Sequence, residues 1–97
     1  MDYGIYAASS NVMVAGNTVY GHSGSNDRGI QIAGGTARSN VVFGNYVGIQ
    51  GYGTIEGNRV YNNSYAGIQA AGTTSRIAEN VIYSNPIGVY LNASVGA

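Results

Sequence analysis

The stretch His22-Ser23-Gly24-Ser25-Asn26-Asp27-Arg28 holds the chain's single histidine, one of its four carboxylates and one of its four arginines. Such a set could abstract a proton beside a carboxylate. His22 or Asp27 would act as general base, and Arg28 would clamp the acid group and stabilise the enolate-like charge that develops. Acidic sugars are the substrate class for that chemistry. The plainer reading makes the segment a surface bulge with solvated charges. The pattern favours this plainer reading, so no catalytic residue is assigned and His22, Asp27 and Arg28 stand as candidates only. The remaining acids, Asp2, Glu56 and Glu79, are scattered, and cysteine is absent. No metal site and no cofactor are expected from such a set.

Binding chemistry has a second set of candidates. Tyr20, Phe43, Tyr61 and Tyr83 each follow an apolar residue and recur at spacings of 23, 18 and 22. Facing outward on successive strands, they would form an aromatic stripe able to stack on sugar rings. The alternative is that the rings stack only on one another and stabilise a sheet. Gln31, Gln50 and Gln69, between Tyr6 and Tyr90, would make an outward amide row on another strand.

These residues must be positioned by a repeat. The phrases Gly16-Asn17-Thr18-Val19-Tyr20, Ser39-Asn40-Val41-Val42-Phe43, Gly57-Asn58-Arg59-Val60-Tyr61 and Glu79-Asn80-Val81-Ile82-Tyr83 are copies of one unit. Between them a second phrase recurs at Gly4-Ile5, Gly29-Ile30, Gly48-Ile49, Gly67-Ile68 and Gly88-Val89, with spacings of 25, 19, 19 and 21. A period near 20 with apolar and polar residues in alternation marks a solenoid of strands. Four apolar columns follow: Val14, Ala37, Ile55, Ile77; Val19, Val42, Val60, Ile82; Ile5, Ile30, Ile49, Ile68, Val89; and Ala7, Ile32, Gly51, Ala70, Leu91.

The expected fold is therefore all-β: a right-handed parallel β-helix of about four to five coils with three short strands per coil, filling residues 1–97 as one domain. It should form a rod about 20 Å long, given about 4.8 Å per coil. Asn17, Asn40, Asn58 and Asn80 should stack as a hydrogen-bonded ladder, with a second line through His22, Asn45, Asn63 and Asn85. Turn geometry requiring positive φ is the expected reason for asparagine at these places. Seven residues, 22–28, precede Gly29, against three or four before the later glycines, so the candidate loop is a departure from the repeat. Arg38 and Glu56 should meet as ladder neighbours, and Arg59 and Glu79 diagonally. Thr36 and Thr54 share a column, but Met13 and Arg76 interrupt it, which argues against an ice-binding threonine array.

Composition removes other classes. Four arginines balance four acids and lysine is missing, so there is no basic field for a phosphate backbone and nucleic acid is not an expected partner. No apolar run approaches the roughly 20 residues of a membrane-spanning helix, and no membrane partner is expected.

The Gly-Ile, Ile/Val and Gly-Asn-x-Val-Tyr-x-Asn pattern resembles the repeats of pectate lyase-like right-handed β-helix proteins, including NosD-like and mannuronan epimerase-like members. The resemblance covers essentially the whole chain. It implies the β-helix and a parent protein that is extracellular, on the cell surface or periplasmic. It implies no catalytic group: an Asp-Pro-His-Glu run is absent, the single proline, Pro86, lies between Asn85 and Ile87, and the four acids fall in different columns. The expectation is a non-catalytic structural or carbohydrate-interaction module, with part of a polysaccharide lyase or uronan epimerase as the alternative. No segment reads as a polar cap. The chain is therefore expected to be either a fragment of a longer β-helix or a short one that forms homo-oligomers, end to end or side by side, with polysaccharide as the candidate ligand.

Overall fold

Alternation of small aliphatic and polar residues lets each short strand bury one face, and the computed structural model, which describes residues 2–71 and 76–92, wraps these strands into a parallel β-solenoid of about four turns. The first coil consists of β1 (Tyr3–Ala7), β2 (Met13–Ala15) and β3 (Thr18–Tyr20). The second has β4 (Arg28–Arg38) and β5 (Val41–Phe43), and the third β6 (Val47–Glu56) and β7 (Arg59–Tyr61). The fourth has β8 (Ala66–Ala71), β9 (Arg76–Ala78) and β10 (Val81–Tyr83), after which β11 (Ile87–Asn92) begins another level. Every regular element among the described residues is a strand, and every pairing is parallel.

The register stacks like on like. Ile5, Ile30, Ile49, Ile68 and Val89 are successive partners, as are Val14, Ala37, Ile55 and Ile77, and Val19, Val42, Val60 and Ile82. The middle coils are sealed: Ile30, Ile49, Ile55, Ile68, Val42 and Val60 are fully buried. Burial of each such side chain stabilises by about 1.5–3 kcal/mol. The outer levels are more open, with Ile5, Ile77 and Ile82 only partly buried and Val89 exposed. The side chain of Leu91, assigned to the fourth column, lies outside the described residues.

Two expectations need correction. In the second and third coils the first two of the three strands run together as β4 and β6, of 11 and 10 residues. The chain turns the corner inside the strand, with a register irregularity between Ala33 and Thr36. Glycine makes this corner feasible: at Gly53, φ is 124° and an added Cβ would sit 2.3 Å from the Gly35 carbonyl oxygen. With four to five levels and principal extents of 30 × 27 × 26 Å the molecule is also a block rather than a rod.

The ladder asparagines themselves do not need positive φ. That demand falls one residue earlier, on Gly16, Ser39, Gly57 and Glu79 at one corner, and on Gly21, Gly44, Asn62 and Ser84 at the next. The asparagines are selected by their side-chain amides instead.

Candidate functional site

The amide columns are the most constrained polar feature. Asn40 and Asn58 are almost fully buried, as are Asn45 and Asn63 in the second column. Each rung repeats one geometry. The main-chain N–H of Asn40 donates to Asn58 Oδ1 at 3.0 Å, and Asn40 Nδ2 donates to the same oxygen at 2.9 Å and to the Val14 carbonyl at 2.9 Å. Asn58 does likewise toward Asn80 Oδ1 and the Ala37 carbonyl, and Asn17 toward Asn40 Oδ1. The second column runs from Asn45 to Asn63 to Asn85 through the same paired N–H and Nδ2 bonds to Oδ1. A primary amide offers two donors and an acceptor, which is what one rung consumes.

His22 heads that second column. Its main-chain N–H donates to Asn45 Oδ1 at 3.1 Å, and its imidazole sits over Gly4, where an added Cβ would lie 2.9 Å from Nε2. The glycines below have the same reason to be glycine: an added Cβ on Gly29 would lie 2.8 Å from Asn45 Nδ2, and one on Gly67 the same distance from Asn85 Nδ2. Sequence alone shows the Gly-Ile phrase but not this amide pressed against the glycine Cα. The imidazole also lines a cavity of about 210 Å³ at the outer side of the first coil, with Ile5, Asn17 and Val19 among its walls.

The other two members of the 22–28 segment are engaged elsewhere. Asp27 Oδ1 accepts from the Asp2 main-chain N–H at 2.8 Å and Oδ2 from the Gly24 N–H at 3.0 Å, closing the loop and tying it to the residue before β1. Arg28 donates from Nε to Gln50 Oε1 and from Nη1 to the Asn26 carbonyl. His22 faces Gly4 and the cavity, Asp27 the N–H groups of Gly24 and Asp2, and Arg28 the glutamine row and the Asn26 carbonyl. Among the described residues no three histidine or acidic side chains come together as a metal-binding group.

The aromatic residues form an unbroken stack. Ring centroids lie 5.1 Å apart for Tyr20–Phe43 and Phe43–Tyr61 and 5.0 Å for Tyr61–Tyr83, with interplanar angles of 7°, 13° and 2°. Near-parallel rings at that separation fall within the range of favourable aromatic pairs. Tyr20 is 62 % exposed and Tyr83 39 %. Sequence reasoning missed Arg59, whose guanidinium carbon lies 5.8 Å from the centroids of both Tyr61 and Tyr83 and whose Nε donates to the Tyr83 hydroxyl at 3.2 Å. The signal was available: residues two apart on a strand share a face, and Arg59 stands two before Tyr61. A further stack, Tyr46 on Tyr65 at 5.0 Å, was not anticipated either. The glutamine row is as expected, with Tyr6, Gln31, Gln50, Gln69 and Tyr90 in one register line.

The charge pairings differ from expectation. Arg38 and Glu56 are register partners, yet Glu56 Oε1 pairs with Arg76 on its other side, at 2.5 Å. Arg59 turns to the tyrosines instead of Glu79. Ring contact and a hydroxyl acceptor on the same face hold Arg59, whereas Glu79 occupies the left-handed corner position.

Comparison with family models, curated proteins and solved structures finds no match to this chain.

Proposed function

We propose that the protein is a non-catalytic structural module, a β-solenoid that associates with further copies of itself through its outer levels. The observation carrying this reading is the polarity of the amide columns. Among the described residues, Asn80 and Asn85 have main-chain N–H groups with no acceptor, and Asn17 Oδ1 receives no donor. One outer level thus offers donors in the geometry in which the other offers an acceptor. Exposed strand edges add to the tendency to associate. Sedimentation velocity across micromolar concentrations tests the reading. Concentration-dependent growth is expected, and a single monomeric boundary at every concentration overturns it.

A second role, contact with polysaccharide along the Tyr20–Phe43–Tyr61–Tyr83 stripe, is supported by the exposure of Tyr20 and Tyr83 and by the Arg59 guanidinium beside the last two rings. Relationship to the pectate lyase-like β-helix proteins belongs to this proposal, and with it an extracellular or periplasmic setting. Affinity electrophoresis in gels containing alginate, pectate or neutral glucans checks it. Retardation that is lost in Tyr61→Ala is expected, and equal mobility in every gel removes the role.

A further inference from the structure

Among the described residues, the three walls of the solenoid do not have the same number of levels. The wall through Ile30 has five strands, in the order β1, β4, β6, β8, β11, whereas the wall through Val19 has four, and the third wall pairs β2, β4, β6 and β9. Two copies placed end to end so that β9 and β10 of one sit on β2 and β3 of the other would bring two strands, β11 of the first and β1 of the second, to a single position.

The sequence of these two strands is suited to sharing it. Gly4-Ile5-Tyr6 and Gly88-Val89-Tyr90 occupy equivalent register positions, and both differ from the three strands between them, which read Gly-Ile-Gln. Gly88 supplies a second, independent sign. An added Cβ on Gly4, Gly29, Gly48 or Gly67 would come within 3 Å of a backbone oxygen of the next strand, whereas on Gly88 the nearest atom among the described residues is Ile82 Cγ2 at 3.8 Å. Nothing described in a single copy requires glycine there. Seated on β4 of a second copy, Gly88 would acquire the surroundings of Gly4: the Gly29 oxygen, Val19 and the His22 imidazole.

We propose that copies of this chain join head to tail by strand exchange, with β11 of one displacing β1 of the next from its place beside β4. This rests on the self-association proposed above and specifies its mechanism. Exchanging one strand for an equivalent one is close to neutral, so the new contacts supply the gain. Asn80 would donate from its N–H and Nδ2 to Asn17 Oδ1 of the next copy, continuing the column, and Ile82 would pack against Val19 of the next copy, with Val89 taking the place that Ile5 leaves. Because the donor end and the acceptor end are different surfaces, the contact is heterologous and extends into filaments.

Glycine variants on the two competing strands give the test, read by sedimentation and amide hydrogen exchange on the full chain. Gly88→Ala leaves the single copy unstrained but places a methyl group against the Gly29 oxygen of the next copy, so association should fall at least tenfold. Gly4→Ala strains the resident strand, where the added Cβ would lie 2.7 Å from the Gly29 oxygen; it should release β1 and raise association. In assembled wild-type protein the β1 amides should lose protection, and the axial repeat should be four levels, about 19 Å. Assembly with β1 still protected and a repeat of five levels, about 24 Å, overturns strand exchange while leaving self-association standing. A monomer under all conditions overturns both.

Discussion

Replacing Asn58 by alanine probes the interaction that most distinguishes this solenoid. Four hydrogen bonds involve its side chain: two received at Oδ1 from the Asn40 N–H and Asn40 Nδ2, and two donated by Nδ2 to the Ala37 carbonyl and Asn80 Oδ1. In Asn58→Ala the Asn40 N–H loses its acceptor, one Asn40 amide hydrogen is left without a partner, and the Ala37 carbonyl loses a donor. Asn80 Oδ1 still receives the main-chain N–H of residue 58. Both Asn40 and Ala37 are buried, so water cannot substitute. At about 1–3 kcal/mol for each of the three buried groups that lose a partner, the expected loss is about 3–9 kcal/mol. Native domains are stable by only about 5–15 kcal/mol in total, so the variant should lose a large part of its urea midpoint. Asn17→Ala is the internal control. It lies on the half-buried outer rung and loses only the Nδ2 bonds to Ala15 and Asn40, for about 1 kcal/mol. Equal urea midpoints for the two variants would refute the argument that burial sets the worth of each rung.

Gly48→Ala places a Cβ 2.6 Å from the Gly67 oxygen and 2.9 Å from Val60 Cγ1; thermal denaturation should show a loss of about 2–4 kcal/mol, within the range of overpacked or backbone-strained sites. Ser39→Gly and Glu79→Gly relieve left-handed residues at φ of 58° and 56° and should each stabilise by up to about 1 kcal/mol, read from denaturant midpoints; destabilisation by either would contradict the corner assignment. Phe43→Ala removes the two ring contacts to Tyr20 and Tyr61, worth about 0.5–1.5 kcal/mol each, and near-ultraviolet dichroism should weaken with the midpoint. Arg76→Ala breaks an ion pair whose arginine is 62 % exposed and should change stability by no more than about 1 kcal/mol.

Period and side-chain alternation were enough to determine the solenoid, its parallel strands, the stacked apolar columns and both amide lines, because each depends on a residue type recurring at equivalent places in neighbouring coils. Strand periodicity assigns a face, so Val42, Ile49 and Ile55 could be placed inside and Tyr20 outside without coordinates. Tertiary structure alone decided what lies between columns. Whether Glu56 pairs with Arg38 or Arg76 depends on competition between two neighbours on opposite sides, and a one-dimensional pattern does not rank them. The fusion of strands into β4 and β6 and the shift of positive φ to the residue before each asparagine are corner geometries, set by how consecutive walls meet. The separation of His22, Asp27 and Arg28 has the same origin: the amide column pulls His22 over Gly4, the N–H groups of Gly24 and Asp2 hold Asp27, and the sheet carries Arg28 to Gln50. Proximity along the chain brought these three residues to notice, and the packing of the coils sends them to different neighbours.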